Sequence, residues 1–164
     1  NANLPNNFVI NFGIDHLLSL EKANLYVKEY KKYLYLCFVM KQSLCPSEQV
    51  DLVWHYHQTY TKEYREFSKM YLNIDVFGHN PSDGTKEDSK KYNNMYNNTL
   101  ESIKSYFGYV NEICWPISEI RFNQVFQWYN HHYFMAKTSL WNTSENIKNV
   151  NKNVVQVYSG CYRG

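Results

Sequence analysis

The amino-acid sequence predicts an all-α domain, or nearly so, with three long helices around a central apolar helix. Apolar residues recur at spacings of three and four in three stretches, which is the period of a helix with one buried face. The 164 residues are 44% hydrophobic and 18% aromatic, a composition typical of a packed core rather than of disorder. We therefore expect a single helical domain over residues 1–141, with an irregular aromatic C-terminal segment, and a polar tail over residues 142–164.

The first predicted helix follows a segment, residues 3–16, that we expect to be irregular or extended. Ser19 is a suitable N-cap, and Glu21 lies in the first turn, where the helix dipole favours a negative charge. The second half of this helix, residues 33–40, is apolar on every side, which predicts a helix surrounded by the rest of the domain. The apolar stripe that defines it as far as about Lys41 is Leu20, Ala23, Val27, Tyr30, Leu34 and Cys37.

The second predicted helix begins near Pro46, with Glu48 and Asp51 in its first turn. Its stripe predicts one continuous helix to about Leu72, and a turn-rich segment, residues 75–84, follows. The stripe consists of Val50, Val53, His57, Tyr60, Tyr64, Phe67 and Tyr71.

The third predicted helix has clear boundary signals at both ends. Thr85 and Asp88 form a capping box at its start, and Gly108 is placed to end it. Residues 117–141 fit neither the helical nor the strand period. In the tail, the short apolar run of residues 154–158 fits either a docked strand or a mobile end.

Composition excludes several classes of function. The net charge is +2 and Lys and Arg never form a run of five, so a nucleic-acid surface is not indicated. No stretch of 18 consecutive apolar residues predicts a membrane span. The four Cys have no metal-type pair spacing and do not suggest a disulfide scaffold, so a cytoplasmic location is expected, with secretion left open.

The densest group of chemically capable residues lies in the second predicted helix and the turn-rich segment. Asp51 and His55 are four apart and share a helix face, where a carboxylate can orient an imidazole. His57 lies about 200° around the helix from His55, so the two do not easily face one point. We therefore expect one of them to pair with His79. The simpler interpretation, which we prefer from the sequence, is purely structural. His57 is then a core residue bonded to a Tyr hydroxyl or a carbonyl, Asp51 and His55 form an ordinary surface pair, and residues 78–81 form an ordinary turn.

Nucleophilic catalysis has little support in the sequence. It contains no Gly-x-Ser-x-Gly elbow, no His-Glu-x-x-His motif and no phosphate loop. Cys45 precedes a helix start, where the dipole lowers a thiol pKa, but a structural role is the simpler interpretation. His131 and His132 are adjacent and point apart on any regular element, which favours surface exposure over ligation.

The block of residues 46–57, Pro-Ser-x-x-Val-Asp-x-Val-Trp-His-x-His, resembles the hallmark of the glycine-rich domain-containing protein family. Residues 29–36, the Tyr-rich helix with Tyr60 and Tyr64, the loop from His79 to Pro81 and the step Trp115-Pro116 extend the resemblance over about residues 26–121. Residues 159–164 match only weakly the Gly- and Cys-rich tail of the bacterial relatives. The family has no settled activity, so the resemblance implies a set of site residues: Asp51, Trp54, His55, His57 and His79.

Two functions from different classes follow as hypotheses. The first is a non-catalytic module that binds a protein or a small molecule, with Asp51, Trp54, Tyr60 and Tyr64 at the ligand. The second is a metal-dependent, zinc-type hydrolase, in which His55 or His57 holds the ion together with His79. Asp51 would then orient an imidazole or act as a ligand itself.

Overall fold

A computed structural model describes residues 3–40, 44–79 and 85–122 of the chain. Within these ranges 70% of the residues are helical and none lies in a strand, which confirms the all-α prediction. The last α-helix is a single turn, and a π-helical turn, Ser68–Leu72, separates the fourth helix from the fifth. The α-helices are Phe8–Asp15 (α1), Leu20–Met40 (α2), Glu48–Thr59 (α3), Thr61–Phe67 (α4), Lys86–Phe107 (α5) and Ser118–Arg121 (α6).

The prediction that residues 3–16 are irregular or extended is wrong for Phe8–Asp15, which form helix α1. Phe8 and Phe12 are four residues apart on α1 and are 2% and 0% exposed, so one face of α1 belongs to the core. Ile10 and Ile14 are apolar but exposed. With apolar residues on both faces, the sequence of α1 lacks the alternation of apolar and polar faces that would have indicated a helix. Gly13 permits the close approach of α1 to α2, since a Cβ there would lie 3.3 Å from the Cβ of Ala23.

Helix α2 lies at the centre of the fold, in contact with α1, α3 and α5. The hydroxyl of Ser19 accepts a hydrogen bond from the backbone N of Lys22 at 3.2 Å, which confirms the predicted start. The prediction that residues 33–40 are surrounded is wrong for one face within the described part of the chain, because Tyr35 and Phe38 are half exposed. A tyrosine can pack its ring while its hydroxyl reaches a polar partner or solvent. In this part of α2 the hydroxyl of Tyr33 donates to the carbonyl of Leu44 at 3.0 Å.

The predicted continuous helix to Leu72 is wrong, because the chain changes direction at Tyr60. The backbone of Tyr60 leaves the helical region, at φ −85° and ψ 62°, and α4 begins at the next residue. The buried stripe nevertheless continues, since Tyr64 and Phe67 are each 5% exposed. The helical spacing of apolar residues therefore continues across a break that no Gly or Pro marks in the sequence. Asn73, in the left-handed region, then ends the π-helical turn.

Helix α5 has the boundaries that the sequence predicts. The hydroxyl of Thr85 accepts from the backbone N of Asp88 at 3.2 Å, and Gly108 ends the helix at φ 80°. Thr99 on the buried face accepts from the backbone N of Cys45 at 3.0 Å, which ties the start of the α3 segment to α5. Tyr96 donates to the carbonyl of Pro116 at 2.7 Å and fixes the chain that leaves α5.

A buried carboxylate joins this C-terminal part to α2. Glu29 is 0% exposed, and it accepts from the Trp115 indole at 3.0 Å and from the Lys32 ammonium at 2.8 Å. The predictions made for residues 123–164, including those for His131, His132 and the tail, lie outside the described residues. None of the described helices is long and apolar enough to cross a membrane.

Candidate metal centre

The first turns of α3 place two potential ligands on one face. The Ser47 hydroxyl caps the helix by accepting from the backbone N of Val50 at 3.2 Å. Asp51 and His55 then project one turn apart, as their spacing of four predicts. The Asp51 side chain is 4% exposed and that of His55 is 24% exposed, so the pair lies at the edge of the core.

The segment after the π-helical turn brings the third potential ligand, His79, to this face. Nε2 of His79 lies 2.9 Å from Oδ1 of Asp51 and 3.1 Å from Nε2 of His55. Nε2 of His55 lies 3.8 Å from the same Asp51 oxygen, and one ligand atom from each of the three residues falls within 4.8 Å of the others. Donor atoms about 2.0–2.1 Å from a tetrahedral Zn²⁺ are about 3.3 Å apart. The three separations bracket that value.

The protonation state of His55 suits ligation. Burial lowers the pKa of His55, the nearby Asp51 carboxylate raises it, and the neighbouring His79 lowers it. The lowered pKa favours the neutral imidazole, which is the form that binds a metal ion. This face of α3 therefore offers a neutral His55 imidazole beside the Asp51 side chain.

His57, a residue that we had grouped with the metal ligands, does not join the cluster of Asp51, His55 and His79. It is 0% exposed, and its Nδ1 lies 2.9 Å from the hydroxyl of Tyr30 on α2. Rings of Phe8, Tyr64 and Phe67 meet the imidazole nearly edge-on, and burial lowers the pKa of His57 to about 4. The structure thus gives His57 the core position of the structural interpretation and pairs His55 with His79.

A hydrogen-bonded relay holds the segment that carries His79. The indole of Trp54 donates to the hydroxyl of Tyr64 at 2.7 Å, and that hydroxyl donates to the carbonyl of Phe77 at 2.5 Å. The backbone N of Phe77 donates in turn to the Ser68 hydroxyl at 3.1 Å. The Trp54 ring also stacks on the ring of Phe77, with centroids 4.8 Å apart, and meets the His79 ring edge-on, with centroids 4.6 Å apart. Trp54, which is 5% exposed, therefore holds the segment of His79 from the core side and does not line an open surface.

An open pocket of about 660 Å³ lies beside the histidines, between α3, α4 and the segment of residues 76–79. Its lining includes Tyr64 but not Tyr60, which packs against Phe8 and Tyr56 elsewhere. Of the lining residues, His55, Tyr64 and His79 were predicted as site residues from the sequence, and the others were not. One sequence feature could have marked Phe77 as a site residue: it is an aromatic residue in a polar turn, two positions before His79. The pocket is lined by His55, Gln58, Thr61, Tyr64, Arg65, Val76, Phe77, Gly78 and His79.

Comparison with known proteins adds no assignment for this site. No model of a protein family, no curated protein and no solved structure matches the chain. The resemblance to the glycine-rich domain-containing protein family stays a prediction.

Proposed function

We propose that the chain is a metal-dependent ligand-binding module, in which Asp51, His55 and His79 hold a zinc-type divalent ion. The observation that carries the proposal is the convergence of two imidazole nitrogens and one carboxylate oxygen at separations of 2.9, 3.1 and 3.8 Å. Imidazole and carboxylate ligands suit Zn²⁺, and three protein ligands leave one position of a tetrahedral ion open. The open position would face the pocket.

A metal-free cluster is the competing explanation. The single hydrogen on Nε2 of His79 can be shared between Asp51 and His55, so the three groups can satisfy one another without an ion. An ion explains more of the arrangement, because it accounts for three potential ligand atoms lying within 4.8 Å of one another beside a pocket. The two explanations differ in their response to added Zn²⁺.

We also propose membership of the glycine-rich domain-containing protein family. The positions that carry the resemblance include all three proposed ligands: Asp51 and His55 in the block of residues 46–57, and His79 in the loop that extends it. Under this proposal the spacing of the hallmark residues would serve the metal centre and its Trp54 support.

The alternative is a zinc-type hydrolase, for which three ligands and an open position would also be suitable. Zinc hydrolases usually pair the metal with a general base, and a carboxylate is the common choice. Among the described residues, no Asp or Glu lines the pocket, and the one adjoining carboxylate, Asp51, is needed as a ligand. This favours binding over hydrolysis.

We expect the protein, after removal of metal with a chelator, to take up one Zn²⁺ per chain. Saturation at about 100 times the Kd would stabilise the fold by about 2.7 kcal/mol, which raises the Tm by several degrees. His79→Ala should weaken binding by about 100-fold or more, since it removes a direct ligand. Elemental analysis after dialysis and thermal unfolding with and without Zn²⁺ would measure both effects.

The matched control is His16→Ala. The His16 imidazole, just after the end of α1, is bonded to the carbonyl of Phe12 and lies outside the cluster, so its loss should leave Zn²⁺ uptake unchanged. If the wild-type protein binds no stoichiometric Zn²⁺, or if His79→Ala binds as tightly as His16→Ala, the metal centre is rejected.

A further inference from the structure

We infer that the pocket beside the metal centre takes a small anion with an adjoining apolar part, whose charged end bridges the metal ion and Arg65. The inference rests on the proposed metal centre and adds the class of ligand to it. The charge of the pocket, the chemistry of its donors and the nature of its wall each support it.

The charge of the metal-loaded pocket would be positive. A divalent ion held by one carboxylate and two neutral imidazoles keeps a net positive charge. Arg65 on α4 adds a permanent cation to the lining. Among the described residues of the lining no carboxylate offsets these charges, and the Asp51 side chain is only 4% exposed. A negatively charged group is the ligand that this field attracts.

The donors of the pocket suit the same group. A guanidinium binds carboxylate and phosphate oxygens through two parallel hydrogen bonds, and the open position of a zinc-type ion accepts an oxygen ligand. Gln58 and Thr61, which also line the pocket, supply an amide and a hydroxyl. A carboxylate and a phosphate share this chemistry, so the geometry defines the anion and not its source.

One wall of the pocket is apolar, and it predicts what the anion is attached to. Val76 is 47% exposed, and Phe77 and the ring of Tyr64 continue the same wall. A ligand with a hydrocarbon or aromatic part would cover this surface, which a bare inorganic anion leaves in water. The volume of about 660 Å³ is within the usual range for a small organic molecule.

The test uses the protein loaded with Co²⁺, an ion that accepts similar ligands to Zn²⁺ and whose visible absorption responds to the fourth ligand. Benzoate, acetate and inorganic phosphate would be titrated separately. We expect each anion that enters to change the visible spectrum in a saturable way. Benzoate should bind about tenfold more tightly than acetate, because its ring covers the apolar wall. The phosphate titration shows whether phosphate is accepted as well as carboxylate.

Arg65→Met should raise the Kd for benzoate about tenfold while leaving the affinity for Co²⁺ unchanged, because Arg65 contacts the anion and not the metal. The matched control is Lys62→Met, which removes the same charge from an exposed residue of the same helix outside the lining. That variant should bind benzoate as the wild-type protein does.

The possible failures are distinguishable. If Co²⁺ binds with the expected stoichiometry but no anion alters its spectrum, the ligand class is wrong and the metal centre stands. The same conclusion follows if Arg65→Met and Lys62→Met have equal Kd values for benzoate. If acetate binds as tightly as benzoate, the apolar part of the proposal is wrong. If Co²⁺ itself does not bind, the proposed function and this inference fail together.

Discussion

Glu29→Ala is expected to lower the free energy of unfolding by about 2–4 kcal/mol, because it removes a buried carboxylate that accepts two hydrogen bonds. The Lys32 ammonium, on a side chain that is 12% exposed, would lose its carboxylate at 2.8 Å. The Trp115 indole, on a residue that is 1% exposed, would lose its acceptor at 3.0 Å. The substitution thus leaves a buried indole N–H without its acceptor, while the Lys32 ammonium keeps its contacts with the rings of Phe107 and Tyr109.

Equilibrium unfolding in urea, followed by circular dichroism, measures this effect. Glu29→Gln keeps an acceptor for the indole and should cost less than Glu29→Ala. Glu21→Ala removes the same charge from an exposed position on the same helix and should change stability by no more than about 0.5 kcal/mol. Equal stability of Glu29→Ala and Glu21→Ala would show that the buried carboxylate has no structural role.

Trp54→Ala is expected to cost about 3–5 kcal/mol, and His57→Ala about 1–3 kcal/mol. Both residues face α2 from α3. The rings of Trp54 and Tyr33 have centroids 5.6 Å apart, and the His57 imidazole is hydrogen-bonded to the Tyr30 hydroxyl. Loss of the indole opens a large cavity and breaks the relay to Tyr64. Loss of the imidazole removes less volume but leaves the Tyr30 hydroxyl, in a fully buried residue, without that hydrogen bond.

These variants should be unfolded in the presence of a chelator, so that bound metal does not contribute to the measured stability. The control is His55→Ala, which removes an imidazole from a partly exposed position of the same helix and should cost less than His57→Ala. A His57→Ala protein as stable as the wild type under chelation would contradict the structural role of His57. With Zn²⁺ restored, Trp54→Ala should also bind the ion more weakly, since the segment of His79 rests on the indole.

Local signals were sufficient to predict some elements of the fold and not others. The cap at Thr85 and the stop at Gly108 act within one turn of the chain, so the sequence alone located α5 well. The break at Tyr60 has no such local cause, because the residues on both sides continue the same apolar stripe. Helix α1 was missed because exposed isoleucines obscure its polar face.

The candidate site was predictable where it depends on helix geometry. The spacing of Asp51 and His55 places them together, and an angle of about 200° separates His57 from His55. The position of His79 beside them depends on the path of the chain after α4. The sequence predicted only that His79 pairs with either His55 or His57. Arg65 was missed for the same reason, since the break at Tyr60 is what turns α4 alongside the pocket.

The buried tyrosine hydroxyls limit how alkaline a solution the fold tolerates. Tyr30, Tyr33 and Tyr96 are at most 1% exposed, and burial raises the pKa of each hydroxyl well above its ordinary value. In the unfolded chain the same groups ionise near pH 10. Their contribution to stability is therefore complete below about pH 10 and is lost as the pH rises further, because only the unfolded chain can then release these protons. We therefore expect strong base to unfold this protein, through the same tyrosine rings that pack its helices together.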